Sequence, residues 1–196
     1  IALDKSGNYS DPKVQTITIR KPNINQIQWP KDYTVLNGNA LDCADPDTSP
    51  DSLGYPLLNG KPLELACKIL YTFQDSIVKR CSGSSTILRT WLVIDCCNNT
   101  TTNHLQTIEK VDKTPPFVIC PADFTINTKQ GLCSADVTLP IPVATDNCSD
   151  SIKITISGSG FGDLGYGPYL NVPPGFYEIK YLICDDCSNC TFCNLA

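Results

Sequence analysis

The chain has 196 residues, with 15 Lys and Arg against 20 Asp and Glu, 12 Cys, one His and a formal net charge of -5. The acidic balance excludes the basic surface that nucleic acid or an anionic membrane would bind, and no apolar run is long enough to cross a bilayer. Twelve cysteines beside a single histidine argue against mixed Cys/His metal sites. They predict disulfides and therefore an extracellular chain that is secreted or surface-displayed.

A five-residue pattern of Asp, two residues, a small residue and Asn occurs three times, at an interval of about 90 residues. An apolar stretch precedes each copy and an extended segment follows it, so each copy is predicted to be the hairpin tip between the last two strands of a unit. The Asp side chain can accept hydrogen bonds from the turn backbone. The fourth position, which is Gly7, Asn98 or Ser188, is expected to need a positive φ. The copies span residues 4–8, 95–99 and 185–189.

A second repeated element sets the boundaries of the units. WPKDYTV begins at Trp29 and CPADFTI at Cys120, and the two share Pro, Asp and Thr in register. The chain is therefore predicted to hold the last strands of a preceding repeat (1–22), one immunoglobulin-like repeat (23–112) and another (113–196). The linkers RKPN and KVDKTPP are short and contain proline, which favours a stiff rod.

Short segments rich in alternating or β-branched residues predict an all-β fold. No window shows a helical period. Trp91 and Tyr181 occupy the same place in the penultimate strand of the two units, and several short strands per unit indicate tandem immunoglobulin-like β-sandwiches. The predicted strand segments are VQTITIR, CKILYTF, TILRTWLVID, FVICPADFTI, SADVTLP, SIKITIS and GFYEIKYLIC.

Acidic side chains crowd one loop of the middle unit and offer carboxylate oxygens of the kind that Ca²⁺ binds. A solvated acidic turn explains the same residues, so calcium is kept there only as an alternative, and no other cofactor or metal is predicted. The loop residues are Asp42, Asp45, Asp47 and Asp51.

Two further motifs are discounted as catalytic or cofactor sites. Gly160, Gly162 and Gly165 spell GxGxxG, but the prolines that follow forbid the helix whose N-terminus would hold a pyrophosphate. His104 has no GxSxG motif or paired carboxylates arranged around it, and is predicted to be an ordinary strand residue. The chain is not predicted to be an enzyme.

The same glycine-rich loop carries two tyrosines, Tyr166 and Tyr169. Their rings offer aromatic faces to a sugar or to a partner protein, so a binding loop is kept as an alternative. Packing of both rings under their own loop is the favoured interpretation.

The run CDDCSNCTFC places Cys184, Cys187, Cys190 and Cys193 at three-residue intervals. Such spacing is typical of iron–sulfur and zinc sites. The strand-like segment GFYEIKYLIC directly precedes the run, however, and cysteines three apart on an extended backbone face opposite sides of a sheet in turn. Disulfides are therefore favoured over a metal centre.

The repeats also predict which cysteines pair. Cys120 and Cys193 are replaced together in the middle unit, by Trp29 and Asn103, so they are expected to bond to each other. The other predicted pairs are Cys148 with Cys187, Cys67 with Cys97 and Cys43 with Cys81. The middle unit holds five cysteines and the last unit seven, so either a bridge crosses between units or free thiols remain, with Cys96 the unpaired candidate. Three cysteines are left unassigned: Cys133, Cys184 and Cys190.

The last unit, with DKTPPFVICPADFTI, PVATDNCSD and GFYEIKYLICDDCSN, resembles the hyalin repeat, an immunoglobulin-like module of extracellular proteins. The middle unit, with LDCADPDTSPDSLGYP, TILRTWLVIDCCNN and HLQTIEKVDKTPP, resembles the companion repeats of very large surface proteins of gliding and filamentous Bacteroidetes. The resemblance implies export by the type IX route and a place in an adhesin or a filament. The middle unit departs from that pattern at Cys96, where a large aromatic residue is usual.

Three Asp-Ser-apolar tripeptides resemble the sites at which Bacteroidetes O-glycosylate exported proteins, and their serines are Ser52, Ser76 and Ser151. Together these features predict a structural or adhesive repeat segment of a long cell-surface glycoprotein. The expected partners are neighbouring repeats, identical chains in a filament, or cell-surface glycans and proteins. The alternative is an accessory glycan- or protein-binding module of a secreted hydrolase. Neither nucleic-acid binding nor membrane insertion is expected.

Overall fold

The structure, a computed structural model, describes residues 1–18, 23–45, 47–63, 69–81, 83–158 and 165–195. Strands account for 44% of the residues and helix for almost none, which confirms the all-β prediction. The helical elements in these ranges are a 3-10 turn at Ile24–Gln26 and a single turn, α1, at Pro50–Leu53. No helix in the described ranges is long and apolar enough to cross a membrane.

Fourteen strands are described in chain order. They are β1 (Ile27–Gln28), β2 (Leu41–Asp42), β3 (Leu57–Leu58), β4 (Lys61–Pro62), β5 (Ile69–Lys79), β6 (Ser85–Asp95), β7 (Thr100–Val111), β8 (Phe117–Ile119), β9 (Ala135–Val137), β10 (Val143–Thr145), β11 (Ile152–Gly158), β12 (Tyr169–Val172), β13 (Ile179–Asp185) and β14 (Cys190–Leu195).

A four-stranded sheet in the order β2-β7-β6-β5 dominates the part of the chain that we call the middle region, residues 23–112. The three long strands are antiparallel neighbours, with β6 in the centre. Side chains of β6 alternate across the sheet, and those of Ile87, Trp91 and Val93 on one face are buried. Val93 packs with Leu58 of the smaller sheet β1-β3-β4, so the two sheets share a core.

The last region, residues 113–195, is built around a three-stranded sheet in the order β11-β13-β14. Two short antiparallel pairs, β8 with β10 and β9 with β12, complete it. No sheet among the described residues takes strands from both regions. The buried core consists of Leu139, Ile156, Ile179, Tyr181, Ile183, Cys193 and Leu195.

Each region has a fully buried aromatic residue in its central strand, four residues before the Asp of the hairpin tip. The Trp91 ring is inaccessible to solvent, and its Nε1–H donates a hydrogen bond to Oε1 of Gln106 at 3.0 Å. Tyr181 is equally buried and its hydroxyl donates to the backbone oxygen of Pro140 at 2.9 Å. Both aromatic side chains thus bury their apolar area while their polar atom keeps a partner.

The repeated turn forms as predicted in its first and third copies. There the Asp carboxylate accepts hydrogen bonds from the backbone N–H and the side-chain amide of the closing Asn. Gly7 has a φ of 84° and Ser188 a φ of 71°. The prediction for the middle copy is wrong by one residue. The Asn98 side chain donates to Asp95 at 2.6 Å and closes the turn early, so the positive φ, 51°, falls on Asn99.

Two predicted strands are missing over most of their length. β8 ends at Ile119, and residues 120–129 contain no strand although FVICPADFTI predicts one. Pro121 has no N–H to donate to a sheet, and Phe124 and Ile126 are about two-fifths exposed. Residues 14–18 of VQTITIR likewise form no strand, and residues 19–20 lie outside the described residues.

The N-terminal segment, residues 1–18, forms only the tip of a hairpin, through an antiparallel bridge between Leu3 and Tyr9. Its apolar side chains face solvent, with Ile1, Val14 and Ile17 each at least 74% exposed. The assignment of residues 1–22 to a preceding repeat stays a prediction.

Candidate functional site

Two disulfides connect the middle region to the last region. They are Cys43–Cys148 and Cys81–Cys187, with Cα–Cα distances of 6.0 and 5.2 Å. Both lie where the loops of the two regions meet. We call this place the joint, made of residues 42–43, 81, 83–84, 112, 146–149 and 185–189. The other disulfides of the described residues lie within the last region, Cys120–Cys193 and Cys184–Cys190.

The structure contains the pair Cys120–Cys193 that the repeats predict. The predicted pairs Cys148–Cys187 and Cys43–Cys81 are wrong. Cys148 and Cys187 belong to two loops of the last region that both face the middle region, so each bonds across the joint instead. Cys67 lies outside the described residues. The free cysteines among the described residues, all exposed, are Cys96, Cys97 and Cys133.

The cysteine run near the end of the chain does not form one cage. Its four sulfur atoms enter three different disulfides, because the strand and turn direct them to different places. Cys184 and Cys190 lie directly opposite each other where β13 meets β14, with their Cα atoms 4.1 Å apart. Cys187 at the tip of that turn reaches Cys81 in the middle region, and Cys193 on β14 turns into the core.

Polar contacts reinforce the crossing bridges. The Asp112 backbone N–H donates to Ser84 Oγ at 2.9 Å, and that oxygen lies 3.6 Å from Cys187 Sγ. The side-chain amide of Asn189, which closes the third hairpin tip, donates to the Asp112 carbonyl at 3.3 Å. The repeated turn therefore does more than end a strand, since here it also holds the linker between the regions.

Gly83 lies against Cys148 so closely that any side chain would collide. A Cβ there would lie 2.7 Å from the Cys148 carbonyl oxygen and 2.8 Å from its Cβ. We expect Gly83→Ala to lower the free energy of unfolding by about 2–4 kcal/mol, of which about 1 kcal/mol reflects its positive φ and the rest the collision. Urea denaturation measures the loss.

Gly60 supplies the matched control, because its φ of 75° is close to the 72° of Gly83 and no atom lies within 4 Å of the place that an added methyl group would take. Gly60→Ala should cost only about 1 kcal/mol. Equal losses for the two variants would show that the close approach at the joint contributes nothing to stability.

Acidic side chains surround the linker at the joint. Asp112 is 8% exposed, and its Oδ1 accepts a hydrogen bond from the Thr114 N–H at 3.1 Å. Burial raises the pKa of Asp112 above its ordinary value, and the negative charges of Asp146, Asp185 and Asp42 raise it further. Asp146 Oδ1 accepts from the backbone N–H groups two and three residues later. The joint therefore concentrates negative charge around a buried carboxylate.

The acidic loop, for which Ca²⁺ binding was kept as an alternative to a solvated turn, does not bring its four carboxylates together in the part of the chain that the structure describes. Its carboxylates accept local hydrogen bonds instead: Asp45 from the Asp47 N–H, Asp47 from Ser49 and the Ser52 hydroxyl, and Asp51 from the Tyr55 hydroxyl. The pKa of Asp47 falls to about 2, chiefly because of the bond from Ser52. Asp42 turns away to the joint, where its carboxylate lies within 4.8 Å of the Cys43 and Cys148 sulfur atoms. The loop is thus held by hydrogen bonds between its own side chains and backbone just before α1.

His104 lies in β7, as predicted, and its ring stacks on Trp29 with the ring centres 5.0 Å apart.

Tyr166 and Tyr169 pack against the core of the last region rather than presenting their faces to solvent, and burial raises the pKa of both phenols. The Tyr169 hydroxyl donates to the Gly165 carbonyl. Gly160 and Gly162 lie outside the described residues.

A groove of about 710 Å³ lies in the last region, along the segment where the predicted strand is missing. Its floor is formed by Ile179 and Leu195, and its rim by Phe124, Tyr177 and Phe176, the last fully exposed. No periodic sequence pattern predicts this groove, because its rim belongs to irregular segments.

The three serines of the predicted O-glycosylation sites, Ser52, Ser76 and Ser151, are all exposed.

A comparison with protein-family models finds no match for the chain, and a search of curated proteins finds none either.

Proposed function

We propose that the chain is a structural and adhesive segment of a long extracellular surface protein, in which immunoglobulin-like β-sandwich repeats (23–112 and 113–196) follow one another. Its work is mechanical, because it spans distance and presents surface for adhesion or for filament assembly. The observation that carries the proposal is the pair of disulfides across the joint. They join two successive regions covalently, which supports a segment built to resist extension.

Disulfides in this number persist in oxidising compartments outside the cytoplasm, which supports an extracellular location at the cell surface. The resemblance to hyalin repeats and to Bacteroidetes surface arrays supports export by the type IX route. On this proposal the partners are neighbouring repeats, identical chains in a filament, or surface glycans and proteins. The exposed serines of the three Asp-Ser-apolar tripeptides would carry O-linked glycans.

Immunoelectron microscopy of the cells that produce the protein tests the proposal. An antibody raised against the pure, oxidised chain should place gold particles along fibres or a layer at the cell surface. The same antibody absorbed with pure protein serves as the control and should give no label. Label found only on a soluble secreted enzyme would contradict the proposal.

The groove favours one alternative, an accessory glycan- or protein-binding module of a secreted hydrolase. Exposed aromatic rings around a concave apolar floor suit the faces of sugar rings. A glycan array probed with the chain and with Phe176→Ala tests it, because that variant should lose binding. Phe192→Ala is the control, since Phe192 is 71% exposed on β14 and does not line the groove.

A further inference from the structure

Two carboxylate oxygens at the joint are buried and have no hydrogen-bond partner, Oδ2 of Asp112 and Oδ2 of Asp146. Leaving a charged oxygen buried without a partner is costly, so such groups are ordinarily paired with a cation or coordinate a metal. The ion pairs of the described residues, Arg89–Asp75 and Lys129–Asp136, lie elsewhere. No described Lys or Arg side chain therefore forms an ion pair with Asp112, Asp146 or Asp185.

The same place holds a carboxylate pair with the spacing of metal ligands. A carboxylate oxygen of Asp185 lies within 4.8 Å of one of Asp112. One ion about 2.4 Å from each oxygen, the ordinary Ca–O distance, would bridge them. The neighbouring sulfur of Cys187 belongs to a disulfide with Cys81, so it offers no thiolate. The remaining donors are hard oxygens, which exclude the metals that prefer sulfur.

We propose that the joint binds a divalent cation, Ca²⁺ by its oxygen donors, between the carboxylates of Asp112 and Asp185, with Asp146 and Asp42 adding negative charge nearby. The two ligands come from the linker and from the hairpin tip between β13 and β14, so the ion holds the linker against the last region beside both crossing bridges. This inference goes beyond the proposed function and does not depend on it.

The full oxidised chain, freed of metal with a chelator, is titrated with CaCl₂ by isothermal calorimetry and by thermal melting. One Ca²⁺ per chain should bind with a Kd of about 0.1–1 mM, the range of extracellular modules. At ten- to a hundredfold excess over that Kd, the melting temperature should rise by about 3–10 °C. MgCl₂ should act more weakly, because Mg²⁺ demands shorter bonds and a stricter octahedron.

Asp112→Asn, which removes a ligand, should weaken calcium binding at least about tenfold and reduce the melting shift by about half or more. Asp146→Asn, which removes a neighbouring negative charge, should weaken binding by a smaller factor and reduce the melting shift as well. Without calcium each variant should be as stable as the wild type or more so, because the amide removes a buried charge. Asp146→Asn keeps the experiment decisive if Asp112→Asn fails to fold. Asp150→Asn is the control, since Asp150 is exposed and its loss changes the net charge equally.

A melting temperature that does not respond to CaCl₂ would overturn the proposal. So would a calcium response that is undiminished in both Asp112→Asn and Asp146→Asn. A response lost in Asp47→Asn but kept in the two joint variants would place the ion in the acidic loop and equally overturn the assignment to the joint.

Discussion

Replacing Cys43 and Cys148 together with serine should lower the free energy of unfolding by about 4–5 kcal/mol. The bridge joins residues 105 positions apart, so its loss frees a long loop in the unfolded chain, and the chain-entropy model gives that magnitude. Guanidinium denaturation of the oxidised proteins measures it. The loss should appear as a lower midpoint of unfolding rather than as a loss of strand signal in circular dichroism.

Cys184→Ser with Cys190→Ser is the matched control, because that bridge spans only six positions. The same model gives about 2 kcal/mol for so short a loop. Equal losses in the two double variants would contradict the view that the crossing bridge acts by shortening the unfolded chain. If either bridge strains the native state, the double variant that lacks this bridge should be more stable than the wild type.

The crossing bridges also predict the behaviour of the chain under force. When force is applied to the two ends, the Cys81–Cys187 bridge keeps the 106 positions between its cysteines from extending. At about 3.5 Å per residue, about 370 Å of chain length is therefore not released. Unfolding the oxidised chain in single-molecule force measurements should therefore release about half the length released after reduction. Equal lengths before and after reduction would show that the bridges do not form.

Asp75→Asn is expected to lower the free energy of unfolding by about 2–4 kcal/mol. Asp75 lies opposite Arg89 in the pairing of β5 with β6, and its two oxygens accept from Nε and Nη2 at 2.8 Å each. The Arg89 side chain is 2% exposed, and its guanidinium lies 4.5 Å from the ring centre of Phe73. Removing the carboxylate leaves a buried cation without a counter-charge, which is the costly change at a buried ion pair. Partial exposure of Asp75 lets water offset part of the loss.

The second ion pair provides the comparison. Lys129 and Asp136 are 44% and 34% exposed, so Asp136→Asn should cost no more than about 1 kcal/mol. Asp75→Leu combined with Arg89→Met should recover most of the stability lost in Asp75→Asn, because no charge is left buried. Urea denaturation of the set checks both points. A double variant as unstable as Asp75→Asn would mean that the Arg89 stem and its stacking, rather than its charge, set the cost.

Local chemistry explains what could be predicted from the sequence. The Asp turn was predicted because a short side chain that bonds its own turn does so wherever it occurs. Trp91 and Tyr181 were found because strand alternation and the repeat place both on a buried face. Cys120 and Cys193 could be paired because both are absent from the middle unit, and two cysteines that are replaced together are expected to bond to each other.

What could not be predicted depends on how one region meets the next. Cys148 and Cys187 bond partners in the other region, and nothing in the local sequence says which loops face outwards from a repeat. The carboxylates of the joint are dispersed over more than 140 positions of the chain, from Asp42 to Asp185, so no local motif predicts them. Strand prediction failed at 120–129 for a related reason, because an alternating segment becomes a strand only where a partner edge accepts it.

The two crossing bridges overlap along the chain, since one spans residues 43 to 148 and the other 81 to 187. A protease that cuts one peptide bond anywhere from 43 to 187 therefore leaves the two fragments tethered through sulfur. A nicked molecule would still transmit tension from one end to the other. Separation of the halves therefore requires a reductant as well as an enzyme.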